Sequence, residues 1–95
     1  MRKAHLDTDE FWVVGDFAAR VFARWGRDAR GCRYVDCLDP ARAERFDSYR
    51  KAQRYCCHEE DMVRWKKSQR DPKAVRPLRC RVWVVVYGPG MKPST

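Results

Sequence analysis

The sequence predicts a mainly α-helical protein, built from two to three helices and one extended segment near the C-terminus. Three observations support this fold class: apolar residues at helical spacing early in the chain, a strong helix-start signal at residue 39, and a β-branched and aromatic run after residue 78. At 95 residues the chain has room for one small domain. We expect it to be helical over residues 1–72 and extended over residues 73–95.

The first helix is predicted over about residues 8–25. Asp7 and Glu10 have the spacing of a capping box, and Gly26 is expected to end the helix. A short strand over residues 11–14, with a helix that begins at residue 16, is the alternative. The apolar stripe has spacings of three and four residues and consists of Phe11, Val14, Ala18, Val21 and Trp25.

The second helix is predicted over about residues 40–57. Asp39 supplies an acceptor side chain at the cap position, and Pro40 suits the first helical position. The apolar stripe shifts near residue 57, and the polar residues 58–61 can begin a third helix over about residues 58–70. Pro72 limits this helix, because the residue before a proline is disfavoured in the helical conformation.

The C-terminal segment 79–87 is the best strand candidate, since it reads Arg-Cys-Arg-Val-Trp-Val-Val-Val-Tyr. No comparable strand is evident elsewhere in the sequence. We therefore expect it to pair with a partner chain, because an unpaired strand leaves its backbone groups unsatisfied. A small hairpin with residues 32–37 is the alternative.

Charge indicates an acidic partner. Twenty-one Lys and Arg residues oppose thirteen Asp and Glu residues, which gives a formal net charge of +8. RNA, anionic lipid or an acidic protein face would complement this charge, although solvated helix faces would also explain it. If the partner is ribosomal RNA, we expect the basic contact candidates in the next sentence, together with Arg33, to lie on one face. The basic contact candidates are Arg24, Arg27, Arg30, Arg42, Arg45, Arg50 and Arg54.

A chain this short buries a modest fraction of its surface, so its many aromatic residues indicate contact with other protein subunits. The candidate interface residues are Phe11, Trp12, Trp25, Trp65, Val82, Trp83, Val84 and Val86. The longest apolar run near the C-terminus has about six residues, whereas a membrane span needs about twenty. We expect a protein that is peripheral to a membrane at most, and no cleaved targeting segment.

Five cysteines allow several structural roles. Disulfides are predicted among Cys32, Cys37, Cys56 and Cys57, and reduced, buried cysteines are the alternative. A zinc site formed by Cys32, Cys37, Cys57 and His58 is less favoured, because Cys32 and Cys37 form a single loose knuckle. An odd count leaves at least one thiol free or paired between chains.

No pattern in the sequence points to catalysis. Cys57 and His58 are neighbours in sequence, and neighbours on a helix do not face each other. Gly88 and Gly90 flank a proline and do not form a dinucleotide-binding loop. We expect no catalytic residues, no cofactor and no small-molecule substrate.

Part of the chain resembles the coiled-coil-helix-coiled-coil-helix accessory subunits of mitochondrial respiratory complexes, such as the peripheral cytochrome c oxidase subunit of that class. Residues 46–70 carry the resemblance, with Cys57 followed by the tryptophan Trp65. The sequence departs from the twin Cys-x9-Cys pattern of that family, because it has Phe22 and Phe46 where the pattern needs cysteines. The resemblance implies a cysteine-bearing helix paired with an antiparallel one, in a structural accessory subunit of the mitochondrial intermembrane space.

Two other functions compete with this interpretation. A small basic mitochondrial ribosomal protein, located in the matrix, would use its arginines to neutralise rRNA phosphates. A small zinc-binding adaptor would lose its fold when the metal is removed.

Overall fold

The computed structural model describes residues 10–81. Over this range the chain forms an antiparallel four-stranded sheet and two α-helices, so the predicted mainly α fold is wrong. The spatial order of the strands is β3-β2-β1-β4. The strands are Glu10–Asp16 (β1), Val21–Trp25 (β2), Tyr34–Cys37 (β3) and Arg76–Arg81 (β4), and the helices are Tyr49–His58 (α1) and Glu60–Lys67 (α2).

The predicted helix over residues 8–25 is a β-hairpin in the structure. Strand β1 buries residues on both of its faces, Phe11 and Val13 on one and Val14 on the other, so it lacks the polar alternation of a half-exposed strand. The same residues therefore also fit a helical stripe. The alternative with a strand near residues 11–14 places a helix after residue 16, where the chain instead turns and forms β2.

The turn between β1 and β2 contains no glycine or proline, the residues that most often indicate a turn in a sequence. The Asp16 carboxylate accepts a hydrogen bond from the amide of Ala19 at 3.1 Å, which stabilises the turn. Arg20 completes it with a φ of +56°, a left-handed conformation that glycine or asparagine normally occupies. Sequence reasoning had no signal for this turn.

The predicted helix over residues 40–57 is interrupted. Asp39 does cap a helix, since its carboxylate accepts from the Ala41 amide at 3.0 Å, but the result is a single 3₁₀ turn over Pro40–Arg42. The chain then runs extended between β1 and β2. The amide of Glu44 donates to the carbonyl of Ala23 at 2.9 Å, and Phe46 exchanges two backbone hydrogen bonds of 2.8 Å with Trp12. Residues 44–46 thus separate the two strands beyond their turn.

Helices α1 and α2 are shorter than the predicted helices over residues 40–57 and 58–70. Ser48 caps α1 through a hydrogen bond from the Lys51 amide, and the Glu59 side chain caps α2 by accepting from the Met62 amide at 2.7 Å. Glu59 itself has an extended backbone, so the first helix ends before it and the second begins after it. A second 3₁₀ turn, Pro72–Ala74, leads into β4.

The C-terminal strand pairs within its own chain, so the predicted pairing of residues 79–87 with a partner chain is wrong for the part that the structure describes. Strand β4 pairs antiparallel with β1 along its whole length, from Arg76 opposite Gly15 to Arg81 opposite Glu10. Its partner was missed because β1 was assigned to a helix. The alternative hairpin with residues 32–37 does not form either, since β3 pairs with β2. Residues 82–87 lie outside the described range.

The sheet separates two hydrophobic clusters. The helices cover one face, where Val14, Ala23 and Tyr34 pack with residues of α1 and α2 such as Ala52 and Trp65. The opposite face carries its own buried cluster and has no helix residue in it. That cluster comprises Phe11, Val13, Phe22, Ala43, Leu78 and Cys80, with Phe17 packed against it. Below, the face covered by the helices is called the helix face, and the opposite one, whose buried cluster includes no residue of α1 or α2, is called the open face.

Candidate functional site

The loop between β2 and β3 presents basic and aromatic side chains at one end of the sheet. Its backbone is closed by hydrogen bonds from the Gly26 amide to the Arg33 carbonyl at 2.9 Å and from the Asp28 amide to the Cys32 carbonyl at 3.0 Å. Gly31 has a φ of +87°, which only glycine adopts readily. The loop is therefore well hydrogen-bonded.

The Asp28 carboxylate organises this loop from inside. Its Oδ1 accepts from the Arg30 amide at 2.8 Å and from the Cys32 amide at 2.9 Å. The hydrogen bond from the Cys32 amide lowers the pKa of Asp28 below its usual value, against an opposing effect of partial burial, and the Arg30 amide and the charges of Arg30 and Arg64 lower it further. The loop thus favours an ionised carboxylate at Asp28.

Trp25 is the exposed aromatic residue of this end of the sheet. More than half of its surface, 54%, is accessible, although the ring is held on two sides. The buried Tyr34 ring meets it edge-on, with centroids 5.5 Å apart and planes at 83°, and the Arg33 guanidinium lies 5.8 Å from its centroid. An indole that is both fixed and exposed is a suitable surface for stacking a flat ligand.

Arg27, Arg30 and Arg33 lie on the loop that follows this indole, and we call the set of Trp25, Arg27, Arg30 and Arg33 the arginine hairpin. All four side chains are exposed. Arg30 lies 3.9 Å from Asp28, and Arg33 lies 3.8 Å from Asp61 of α2. Arg27 has no ion-pair partner within residues 10–81. Such exposed pairs contribute little to stability, so these guanidinium groups can exchange their partners for a ligand anion.

A cleft of about 300 Å³ separates the hairpin from helix α2. Beside this cleft the Asp36 carboxylate accepts a hydrogen bond from the Trp65 indole N–H at 2.9 Å and one from the side-chain amide of Gln69 at 3.1 Å. The cleft carries charges of both signs, with its polar groups largely paired, so it has no clear preference for one ligand. It is lined by Asp28, Arg30, Tyr34, Val35, Asp36, Trp65 and Ser68.

The other predicted basic contacts do not join the hairpin. Arg24 and Arg45 lie on the open face of the sheet, and Arg42 ends the 3₁₀ turn beside β2. Arg50 and Arg54 are exposed on α1, one turn apart. The structure thus divides the seven arginines among several surfaces, and of these seven only Arg27 and Arg30 lie, together with Arg33, on the loop that follows Trp25.

Most of the predicted interface aromatics that the structure describes are inside the fold. Phe11 and Trp65 are buried, and Trp12 is partly buried against Tyr49, with ring centroids 5.2 Å apart. Trp25 is the exposed member of this set. Val82, Trp83, Val84 and Val86 lie outside the described residues.

The cysteines are free thiols in the structure. Cys32, Cys37, Cys56 and Cys80 are buried, and Cys57 is exposed beside Gln53. None of the predicted disulfides is therefore present, and they stay predictions. Within residues 10–81 no group of three or more His, Cys, Asp and Glu side chains is arranged to hold a metal ion, so the predicted zinc ligands Cys32, Cys37, Cys57 and His58 do not form such a group.

The supporting residues of the site were missed in the sequence. Asp28, Tyr34 and Asp61 position the hairpin but were not singled out. A usable signal was present for Asp28, because Asp followed three residues later by Gly31 is typical of a turn with a left-handed glycine. The contacts of Tyr34 with Trp25, and of Asp61 with Arg33, depend on tertiary packing.

The described residues contain no helix that is long and apolar enough to cross a membrane. Comparisons with protein-family models, curated proteins and solved structures found no match to this chain.

Proposed function

We propose that this protein is a non-catalytic RNA-binding protein that holds single-stranded RNA on the arginine hairpin and acts as a subunit of an RNA-containing assembly. The observation that carries the proposal is the fixed, exposed indole of Trp25, with the Arg33 guanidinium beside its ring and Arg27 and Arg30 exposed on the same loop. Bases stack on exposed aromatic rings, and guanidinium groups bind the phosphates between them. The formal net charge of +8 favours the same class of partner.

The position of each residue in the site indicates its expected role in RNA binding. Trp25 provides the stacking surface for one base, and Arg33 beside the ring can stack on a neighbouring base or bind its phosphate. Arg27 supplies a guanidinium that has no ion pair within the described part of the chain. Asp28 keeps the loop in the conformation that presents these groups. No step of this proposal requires a bond to be made or broken.

A small mitochondrial ribosomal protein fits this chemistry. The respiratory-complex subunit, by contrast, gains no support from the geometry, because its resemblance implied paired cysteine-bearing helices. In the structure Cys32 precedes strand β3 and does not lie in a helix. Mitochondrial location remains a proposal in either case, and isolation of the native assembly with and without nuclease would distinguish the two.

The test is binding of a labelled single-stranded RNA of about 12 nucleotides, followed by fluorescence anisotropy. Trp25→Ala should weaken binding about tenfold, since base stacking on an aromatic ring is worth about 1–3 kcal/mol. Trp25→Phe should retain most of the affinity. Arg27→Gln should also weaken binding and should lower the salt dependence by about one ion.

Arg50→Gln is the matched control, because Arg50 is an equally charged, exposed residue on α1. The proposal requires Arg27→Gln to cost more affinity than Arg50→Gln. Equal losses would mean that the RNA responds only to net charge. Unchanged affinity in Trp25→Ala would remove the stacking site from consideration.

A further inference from the structure

The open face of the sheet carries a second group of exposed arginines, separate from the arginine hairpin. Alternation along β2 places Arg24 on the same face as Phe22, and alternation along β4 places Arg76 with Leu78 and Cys80. Arg20 from the β1–β2 turn and Arg45 from the segment after the 3₁₀ turn lie over the same cluster. We call Arg20, Arg24, Arg45 and Arg76 the basic face.

Two of these arginines are held in place by buried rings. The Arg45 guanidinium lies 4.0 Å from the centroid of Phe11, and that of Arg20 lies 5.6 Å from Phe22 and 5.8 Å from Phe17. Stacking on a ring orders a guanidinium while leaving its N–H edges free to donate. These arginines therefore lose less freedom than ordinary surface arginines when they bind an anion.

The two stacked guanidinium groups act on a common point. Burial raises the pKa of the Cys80 thiol to about 11, and the positive charges of Arg45 and Arg20 act in the opposite direction. Phe11, which carries Arg45, lies opposite Cys80 in the pairing of β1 with β4. Phe22, which carries Arg20, belongs to the same buried cluster as Cys80. The fold brings the two arginines to one surface.

No arginine of the basic face has an ion-pair partner within residues 10–81. In contrast, Arg81 on the other side of β4 pairs with Glu10 at 3.7 Å. Four exposed guanidinium groups on one face, with no acidic side chain of residues 10–81 paired to them, form a surface that repels cations and attracts a polyanion.

Arg20 adds an independent observation. Its φ of +56° is unfavourable for a residue with a side chain, and a glycine or asparagine would form the same turn with less strain. An arginine at this position therefore comes at a cost to the turn. It places a guanidinium over Phe17 and Phe22, which is a reason for its presence that the turn itself does not supply.

The rings of this face cannot receive bases. Phe11 and Phe22 are 6% and 0% exposed, and guanidinium groups already cover them. The arrangement thus offers charge without a stacking surface, which differs from the exposed Trp25 of the hairpin. Double-helical RNA presents this kind of target, because its bases are stacked inside and its phosphates lie outside.

We propose that the basic face is a second binding site, which recognises the phosphate backbone of double-helical RNA through Arg20, Arg24, Arg45 and Arg76. The site lies on the side of the sheet opposite to the helices, whereas Trp25 shares the helix face with Tyr34. One chain would then hold a duplex and a single strand together, as occurs where a helix ends in a loop. The duplex site goes beyond the single-strand proposal, and it can be tested separately.

The test measures binding of a blunt RNA duplex of about 16 base pairs at several salt concentrations, beside a single strand that cannot fold. In the double variant Arg20→Asn with Arg45→Gln, duplex affinity should fall at least tenfold. The slope of log affinity against log salt should decrease by about two, one for each lost phosphate contact. Single-strand affinity should stay within about twofold of the natural chain.

Asparagine suits the left-handed conformation at position 20, so the variant should fold and keep its melting temperature. The matched control is Arg50→Gln with Arg54→Gln, which removes the same charge from α1. Arg45→Lys, which keeps the charge but loses the stacked, planar guanidinium, should lie between the natural chain and the double variant.

The outcomes separate the two proposals. Equal loss of duplex binding in the α1 control, or unchanged duplex binding in the basic-face variant, overturns the second site. If Trp25→Ala abolishes both duplex and single-strand binding, there is one site and the second proposal is wrong. If the duplex binds through the basic face while the single strand does not bind, only the arginine-hairpin proposal falls.

Discussion

Asp28 is the residue on which the shape of the arginine hairpin depends. One carboxylate oxygen accepts two backbone amides, from Arg30 and Cys32, and these hydrogen bonds favour the ionised form. An asparagine at the same position could still accept from the amides, but without charge. The conformation of the loop is therefore linked to the ionisation of a single side chain.

This linkage predicts a dependence of stability on pH. Because the folded state lowers the pKa of Asp28, the stabilisation is present above the unfolded pKa of about 3.9 and is lost as pH falls through the lower folded value. The difference in unfolding free energy between the natural chain and Asp28→Asn should thus be largest at neutral pH and shrink below about pH 4. Urea denaturation at a series of pH values measures it.

Asp71→Asn is the control for this prediction, since the Asp71 side chain accepts no capping hydrogen bond from the 3₁₀ turn that follows it. Its effect gives the baseline for the loss of one exposed carboxylate, and the effect of Asp28→Asn should exceed that baseline at neutral pH. A constant difference between the natural chain and Asp28→Asn at every pH would show that charge has no part in holding the loop.

At the scale of elements, the β1–β2 hairpin depends on a close approach at Gly15. A Cβ atom at this position would lie 2.5 Å from the Val21 carbonyl oxygen and 2.7 Å from Cδ1 of Phe22. The first of these is backbone of the paired strand, which cannot move without breaking the ladder. Gly15 therefore permits the close approach of β1 and β2 where it pairs with Phe22.

We expect Gly15→Ala to destabilise the protein by about 2 kcal/mol or more, because the added methyl forces the hairpin apart. Gly26→Ala is the matched control: its Cβ would lie 3.2 Å from a methyl group of Val35, a side chain that can shift. That variant should lose less than about 1 kcal/mol. Thermal or chemical denaturation compares them, and a similar loss in both would contradict the assigned role of Gly15.

The elements also show what sequence reasoning could reach. Asp39 does begin a helical turn and polar residues near 58 do separate two helices, because capping is a local interaction between neighbours in the chain. The β1–β2 hairpin was missed for a physical reason. Both faces of β1 are buried, so the period of two disappears, and Arg20 occupies a turn position where glycine would have been visible.

For the candidate site, the residue types were predictable but their grouping was not. Trp25 was named as an interface residue because a short chain has many aromatic residues to cover, and Arg27 and Arg30 were named as basic contacts because of the net charge. The structure places all three on one hairpin. The separation of Arg24 and Arg45 from that hairpin follows from strand pairing between residues distant in sequence. A periodicity argument that assigned residues 8–25 to a helix could not have produced it.

At the scale of the whole molecule, all four strands of the sheet come from one chain. Strand β4 pairs with β1, and apolar clusters lie on both faces of the sheet. Four of the five cysteines belong to these interiors or their edges, with exposures of 5% for Cys32, 8% for Cys37, 2% for Cys56 and 0% for Cys80. Burial in the packed interior is therefore sufficient to account for where these four thiols lie.

This arrangement predicts the reactivity of the thiols. In the native protein, purified without reductant, Cys57 should react quickly with a thiol reagent and the other four slowly, because the thiolate is the reactive form and must be reached by the reagent. Burial also raises the pKa of Cys56 and, to about 11, that of Cys80, which lowers their thiolate fraction. Cys57→Ser should abolish the fast phase.

Unfolding in denaturant without reductant should then expose five reactive thiols in the natural chain and four in Cys57→Ser. A count of three in the unfolded natural chain would mean that one disulfide is present, and a count of one would mean two. Either result would restore the disulfide prediction made from the sequence, since cross-links between residue 32 or 37 and helix α1 would bind the sheet edge to the helix layer. The thiol count therefore distinguishes a fold held by packing from one held by covalent bonds.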